Sequence, residues 1–355
     1  MIDDDRSAVR RRILGGWAAV AALAGCSGSG DPPSPTSAWA AWTKQPTPAF
    51  AGQYPATSDP SVLRDGAGYR MAYTCFDPAR TPQGPEICGA LSADGLSWTP
   101  APVGDETVQG RLLATGAGVW DTAHETALLR RSGSGYVLYF VGYVDRGGIL
   151  NSVPSAIGMA TSTDGLHFTR AADPVLTRTP GGDDDQMISS PTIVDTPDGG
   201  SLMVYAGYCG TGCAHAPGIV LLGARSSDGV HWTKLDAPVL RGADVPWPNE
   251  GVGEADIVHG PDGAYYLFAT VLQGTRPHQI GVARSASPTG PWTFDPQPIV
   301  TAGGPGAFDE GQVVAPSVLV EDGRVRMWFH GVDKSGTRAA IGYAQASWPL
   351  WTGKP

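Results

Sequence analysis

One pattern recurs along this chain and limits its fold more than any other feature. Ser-x-Asp-Gly-x-x-(Trp or Phe)-Thr stands at 92–99, 162–169 and 226–233, with a variant running from Ser287 to Thr293. Just upstream lie short strand-like runs such as Ile157-Gly158-Met159-Ala160 and Ile280-Gly281-Val282-Ala283. A further copy, Ile341-Gly342-Tyr343-Ala344, has almost no sequence after it. A fixed internal period is the mark of an architecture built from one repeated unit.

A second signature alternates with the first: apolar run, turn, apolar run. It reads Pro60 to Tyr73 around Asp65-Gly66, then Ala127 to Phe140, then Pro191 to Tyr205 around Asp198-Gly199. It returns at Ala255 to Phe268 around Asp262-Gly263 and at Pro316 to Phe329 around Asp322-Gly323. Asp-Gly between β-rich runs is a strong hairpin signal. The 49 glycines and 31 prolines suit this punctuation and are poorly tolerated inside long helices. Two hairpins per repeat, at a period of roughly 60–70 residues, predict an all-β fold of four-stranded blades, a five-bladed β-propeller.

The last repeat lacks its outer strand. Trp42-Thr43-Lys44-Gln45 matches Trp232-Thr233-Lys234-Leu235, so the N-terminal segment is expected to supply that strand and close the ring. The predicted organisation is a signal peptide over 1–25, a flexible tether over 26–38 and the propeller over 39–355. Arg10-Arg11-Arg12 precedes an apolar run from Ile13 to Gly25, too short to span a bilayer and suited to a signal-peptide core. Leu23-Ala24-Gly25-Cys26 resembles the bacterial lipobox, which makes Cys26 the expected lipidation site. The chain is therefore expected to be exported and held by a lipid anchor facing the periplasm or cell surface.

Four further cysteines remain, an even number that suits disulfides in an exported chain. Local pairing, Cys75 with Cys88 and Cys209 with Cys213, is the favoured connectivity. The formal charge of −10 argues against nucleic acid, whose binders need a basic face.

Loop lengths sort the two faces of such a ring. Tight Asp-Gly turns share one face, and Asp94, Asp164 and Asp228 read as turn formers. The long loops (75–86, 142–155, 208–218) and long links (100–124, 170–189, 234–253) share the other and should surround a pocket. Aligning the starts of the innermost strands places Asp59, Glu125, Ser190, Glu254 and Ala315 at one mouth. Two residues on, along the same strand face, come Ser61, Ala127, Thr192, Asp256 and Ser317. Carboxylates crowded into a confined mouth should raise at least one pKa, and glycosidic cleavage needs a protonated acid beside an ionised base. Trp120, Asp121, His124 and Trp247 fall in the links of the same face, and His330 ends the second strand of the fifth repeat. Indoles there could stack on sugar faces.

Asp59-Pro60-Ser61-Val62 at the first inner strand, the Ile-Gly-x-Ala strands and Ser287 to Trp292 together resemble the arabinanase, invertase and levansucrase superfamily, with glycoside hydrolase family 43 nearest. The resemblance covers about 42–351. It implies Asp59 as general base and Glu254 as general acid, three blades apart; Glu125, Ser190, Asp256, His330, Trp120, Asp121 and His124, placed at the same face by the strand starts and links, are the expected substrate-side residues. It also implies an aspartate between them that tunes the acid. This chain has Ser190 there, within Ser189-Ser190-Pro191, and Asp185 or Asp256 would have to substitute. Glu254-Ala255-Asp256 likewise departs from the family's Glu-Gly-Pro.

The expected function is hydrolysis of arabinose- or xylose-type oligo- or polysaccharides by a monomer. It calls for no cofactor or metal ligand and leaves room for a central structural cation. The alternative, motivated by Ser190, is a non-catalytic glycan-binding or scaffold propeller. Sialidase propellers offer a weaker parallel, since their Asp box does not place Gly directly after Asp.

Overall fold

The computed structural model describes residues 38–353 apart from 80, 82–83, 106, 115–119, 145–154 and 216. The expected signal peptide, Cys26 and nearly all of the tether lie outside the described residues. The described chain is all-β, with one 3-10 turn at Gly242–Asp244.

After β1 (Trp42–Lys44), the first antiparallel unit holds β2 (Ala56–Asp65), β3 (Gly68–Phe76), β4 (Glu86–Ser92) and β5 (Trp98–Pro100), with β6 (Arg111–Leu113) also paired to β4. The second holds β7 (Ala123–Ser132), β8 (Gly135–Tyr143), β9 (Ala156–Ser162) and β10 (Thr169–Arg170), with β11 (Leu176–Thr177) beside β9. The third is β12 (Met187–Asp195), β13 (Ser201–Cys209), β14 (Gly218–Ser226) and β15 (Thr233–Lys234). The fourth is β16 (Gly251–His259), β17 (Tyr265–Leu272), β18 (Gln279–Ser285) and β19 (Thr293–Phe294). The last has β20 (Gln312–Glu321), β21 (Arg324–Val332) and β22 (Ala339–Ser347). Its fourth strand is β1, antiparallel to β22 with Trp42 opposite Ala346 and Lys44 opposite Ala344.

The recurring turns have one mechanism. Ser92 Oγ accepts the Gly95 N–H at 2.8 Å, and Asp94 Oδ1 accepts those of Leu96 and Ser97 at 2.8 Å each. Ser162 with Asp164 and Ser226 with Asp228 repeat this arrangement. Those aspartates shape turns, as their Asp-Gly context predicted. Both predicted disulfides are present, Cys75–Cys88 joining β3 to β4 and Cys209–Cys213 closing the loop after β13.

Between units, apolar residues of successive sheets interlock. Met187, Val204 and Leu221 of the third unit pack with Ile257, Leu267 and Val271 of the fourth, all buried. Phe268 and Val282 of the fourth pack in turn with Val318, Met327 and Phe329 of the last.

The links are tied down by a buried aspartate that crosses a second-strand glycine to reach a cation on the outer strand. Asp121 passes over Gly142 to Arg170, Asp184 over Gly207 to Lys234, and Asp309 over Gly331 to Lys44 at 2.5 Å. A Cβ on those glycines would meet the aspartate's own Cβ at 2.7, 3.0 and 2.8 Å, so the close approach requires glycine. Lys44 therefore gives β1 the same anchor that Lys234 gives β15.

This arrangement corrects three expectations. Asp121 and His124 are both fully buried and bonded to each other, Oδ2 to Nε2, at 3.1 Å. Trp120 stacks on Phe140 and donates its Nε1–H to the Ala172 carbonyl at 3.2 Å. All three pack within the second unit and none borders the central cavity, because a buried carboxylate needs its cation and its hydrogen bonds. Trp247 likewise packs edge-on against Phe294 and over Gly281.

Asp184 also accepts from the Tyr205 hydroxyl at 3.2 Å and the Thr179 N–H at 3.0 Å. Asp184→Ala is expected to cost about 3 kcal/mol, since it strands a lysine and two further donors. Urea denaturation would measure this, and a loss below about 1 kcal/mol would remove the latch from the list of stabilising interactions.

Candidate active site

Each inner strand carries one β-bulge, where two residues face a single residue of the second strand. The shifts in register fall between Ser58 and Ser61, Glu125 and Leu128, Ser189 and Thr192, Gly253 and Ala255, and Val314 and Ser317. The leading bulge residues are Asp59, Thr126, Ser190, Glu254 and Ala315, with φ of 50°, 49°, 50°, 25° and 49°. None is glycine, and a side chain in that region costs about 1–2 kcal/mol. The bulge turns each of these side chains to one place. All five border one open cavity.

The second unit thus departs from the expected alignment. Thr126, not Glu125, fills the mouth position, and Leu128, not Ala127, fills the one two residues on. Glu125 is an ordinary ladder residue opposite Val141 and does not border the cavity. The acid drew the alignment one residue early. Counting back seven residues from the turn glycines Gly66 and Gly133 finds Asp59 and Thr126 directly.

The positions two residues deeper form a belt between units. Ser61 Oγ accepts the Leu129 N–H at 2.9 Å, and Thr192 Oγ1 that of Ile257 at 3.4 Å. Asp256 Oδ2 accepts the Val318 N–H at 2.7 Å, and Ser317 Oγ accepts that of Val62 at 2.9 Å. Asp256 also receives the Thr192 hydroxyl at 2.7 Å, so its carboxyl joins strands while the residue also borders the cavity. Burial lifts its pKa to about 6 despite these bonds. Asp256 and Asp185 are not what tunes Glu254. Asp185 caps Gly181 in the link before β12.

Asp59 and Glu254 are held differently. Burial pushes the Asp59 carboxyl up, but the hydrogen bond and charge of His330, with bonds from Thr74 and Ser58, outweigh it and bring the pKa below the usual value. His330 Nδ1 donates to Asp59 Oδ1 at 3.1 Å, and Ser58 Oγ to Oδ2 at 3.2 Å. His330 is therefore bonded to an acid and is not itself among the residues bordering the cavity. Glu254 is pushed up to about 7, first by burial and then by the negative charge of Asp59. Its one side-chain donor is Thr270, Oγ1 to Oε2 at 3.2 Å, and Thr270 in turn accepts the Ala315 N–H at 3.0 Å. Thr74 accepts the Thr126 N–H at 3.0 Å in the same way.

Thr74, Thr126 and Thr270 were not singled out from the sequence. Thr74 and Thr270 did leave a signal, as polar residues inside otherwise apolar second strands. Ser190 lies between the two carboxylate units, its hydroxyl 3.0 Å from that of Ser189 and its N–H donated to Thr126 Oγ1 at 3.2 Å. Among the described residues, no three His, Cys, Asp or Glu side chains gather as a metal cradle.

Residues 211–347 match the model of the glycosyl hydrolases family 43. A xylosidase/arabinosidase 43A of Humicola insolens is 35% identical over 95 residues, which cover 26% of this chain and 26% of that protein. The match thus spans about a quarter of the curated relative's length. An endo-arabinase structure from Bacteroides thetaiotaomicron superposes with a TM-score of 0.60 at 15% identity, over 87% of this chain and 99% of that one. A second solved glycoside hydrolase gives 0.67 at 17% identity, over 88% and 94%.

The chain is similar to the family 43 glycosyl hydrolases. The likeness in sequence spans the loop after β13 through β22, and so includes Glu254 and His330. The structural likeness extends over most of the chain.

A raised carboxyl pKa has a stability signature. Glu254 binds its proton more tightly folded, at about 7, than unfolded, at about 4.5. Its contribution is intact below the unfolded pKa and is lost as pH rises through the folded one. Glu254→Gln should therefore stabilise the protein little at pH 4.5 and increasingly up to pH 8, approaching about 3 kcal/mol. Chemical denaturation of both proteins across this range tests it, and a pH-independent difference would contradict the assignment.

Proposed function

We propose that this protein is a glycoside hydrolase acting on arabinose- or xylose-type glycans, with Asp59 as general base and Glu254 as general acid. The observation that carries the reading is the opposite displacement of two carboxyl pKa values at one cavity, Asp59 lowered and Glu254 raised to about 7. Two titratable groups driven apart by their surroundings mark an acid and a base. Glu254 gives its proton to the leaving glycosidic oxygen as the bond from the anomeric carbon breaks. Water forms the new bond to that carbon and yields its proton to Asp59. The matched family and the activity named for the Humicola relative support the sugar class.

The same reading takes the five units as the blades of a propeller. Support comes from the contacts of each inner strand with the next and of β20 with β2, and from the pairing of β1 with β22. We extend it to an exported monomer anchored through a lipid on Cys26, on the strength of the lipobox-like Leu23-Ala24-Gly25-Cys26 and the two disulfides. Cys26→Ser is expected to move the protein from the membrane fraction to the soluble one, and an unchanged distribution would refute the anchor.

Ser190 favours one other reading, a propeller that binds glycan without cleaving it. The two separate on a panel of 4-nitrophenyl α-L-arabinofuranoside, 4-nitrophenyl β-D-xyloside and arabino- and xylo-oligosaccharides. The hydrolase reading expects turnover, with Asp59→Asn lowering kcat/KM by about 10²–10⁴ on every substrate. Glu254→Gln should fall as far on oligosaccharides but less on the nitrophenyl glycosides, whose leaving group needs little protonation. Binding with no turnover across the panel would select the other reading.

A further inference from the structure

The two carboxylates stand at equivalent bulges, so their different protonation must come from what surrounds them. The strand register supplies a comparison position by position. The second-strand residue opposite the one that precedes each bulge is Thr74, Val141, Ala206, Thr270 and His330 in chain order. This position meets two carboxylate sites. Within its own unit it offers Thr74 to Asp59 and Thr270 to Glu254. Across the boundary it reaches the bulge of the next unit: Thr74 accepts the Thr126 N–H, Thr270 that of Ala315, and His330 meets Asp59, while Ala206 of β13 shares an apolar cluster with Ala255 of β16.

Across that boundary the symmetry fails. The last unit presents His330 to Asp59, with Nδ1 3.1 Å from Oδ1. The third unit presents Ala206, which is buried and has no polar side-chain atom, to the β16 strand that carries Glu254. Both carboxylates thus have a threonine from their own unit, and only one has a donor from the preceding unit. A donor to the charged form of a carboxylate favours ionisation, while an apolar neighbour favours the proton.

We propose that this second-strand position in the preceding unit assigns the two roles: His330 holds Asp59 as the ionised base, and Ala206 lets Glu254 keep its proton. His330 and Ala206 are positioning residues, acting through the carboxylates. The inference rests on the acid/base reading above and deepens it. Besides the pair itself and His330, titratable groups on the strands packed against β2 and β16, or on the loops at their mouth ends, include Tyr73, His124, Glu125, Tyr205, Tyr208, Glu250 and His278. Asp256 sits deeper, tied to Thr192 and Val318.

The test exchanges the two environments. With 4-nitrophenyl α-L-arabinofuranoside, His330→Leu should raise the acidic limb of the kcat/KM profile by about one pH unit. His330→Asn, which can keep a donor near the Nδ1 position without the charge, should restore part of that shift. Ala206→His should lower the alkaline limb by a similar amount. A profile unmoved by His330→Leu would overturn the proposal.

A second readout needs no substrate. The pH dependence of the stability difference between Glu254→Gln and its parent reports Glu254 protonation, and its midpoint should fall by about one pH unit in the Ala206→His background. If that variant fails to fold, Ala206→Ser supplies a smaller donor and a smaller shift. The corresponding Asp59→Asn difference should move upward in the His330→Leu background. Unmoved midpoints would overturn the proposal. Failure of the acid/base reading would look different: Asp59→Asn and Glu254→Gln would keep the parent kcat/KM while the midpoints still shifted.

Discussion

The β-bulge repeated on every inner strand is the constraint from which the rest of this site follows. A regular ladder would send successive side chains alternately to the two sheet faces. An extra residue held at positive φ breaks that alternation once per strand and turns one side chain toward the mouth. Five non-glycine residues in that conformation represent strain that the surrounding ladders hold in place. The same two-against-one pairing also frees the N–H groups that Thr74, Thr126 and Thr270 capture between units.

Equivalent positions are then used for different ends. In the belt below the mouth, Ser61, Thr192, Asp256 and Ser317 each accept one N–H from the neighbouring inner strand. Leu128 stands at the fifth such place and has no oxygen to offer. At the mouth itself, hydroxyl and methyl side chains (Thr126, Ser190 and Ala315) fill the positions between the two acids. All three carboxyls border the cavity, but the one at the belt is also held by a strand N–H and a threonine hydroxyl of the neighbouring units. Depth along the strand separates the roles of Asp256 and Glu254, although only one residue lies between them. Burial and the charge of Asp59 lift Glu254 although Ser190 brings no charge to the mouth.

Stability is concentrated away from this strained mouth. The aspartates that cross glycines to reach Arg170, Lys234 and Lys44 bind the links to the outer strands. On the side of the tight turns, ion pairs join neighbouring units, Arg130 to Asp195 at 2.8 Å and Arg64 to Glu321 at 3.1 Å. These are partly exposed, and pairs of that kind contribute little each. The interlocked apolar faces between units contribute more and leave the mouth free to hold a carboxyl that disfavors its own charge.

Much of this was legible in the chain itself. The hairpins, the Asp-Gly turns, both cysteine pairings and the match between Trp42-Thr43-Lys44 and Trp232-Thr233-Lys234 are local or repeated signals, and local backbone chemistry writes them into sequence. The same repeats brought Asp59 and Glu254 to equivalent positions. Tertiary structure alone decided which residue of a strand is the bulge, because that choice depends on pairing with another strand; hence Thr126 rather than Glu125. It also decided that Asp121 and His124 are sealed beneath Trp120, that Asp256 bonds across a unit boundary, and that His330 meets Asp59, 271 positions away. An acid reads the same in sequence whether its partner is a lysine, a strand N–H or a cavity. Its partner is set by packing between units, and so is its pKa.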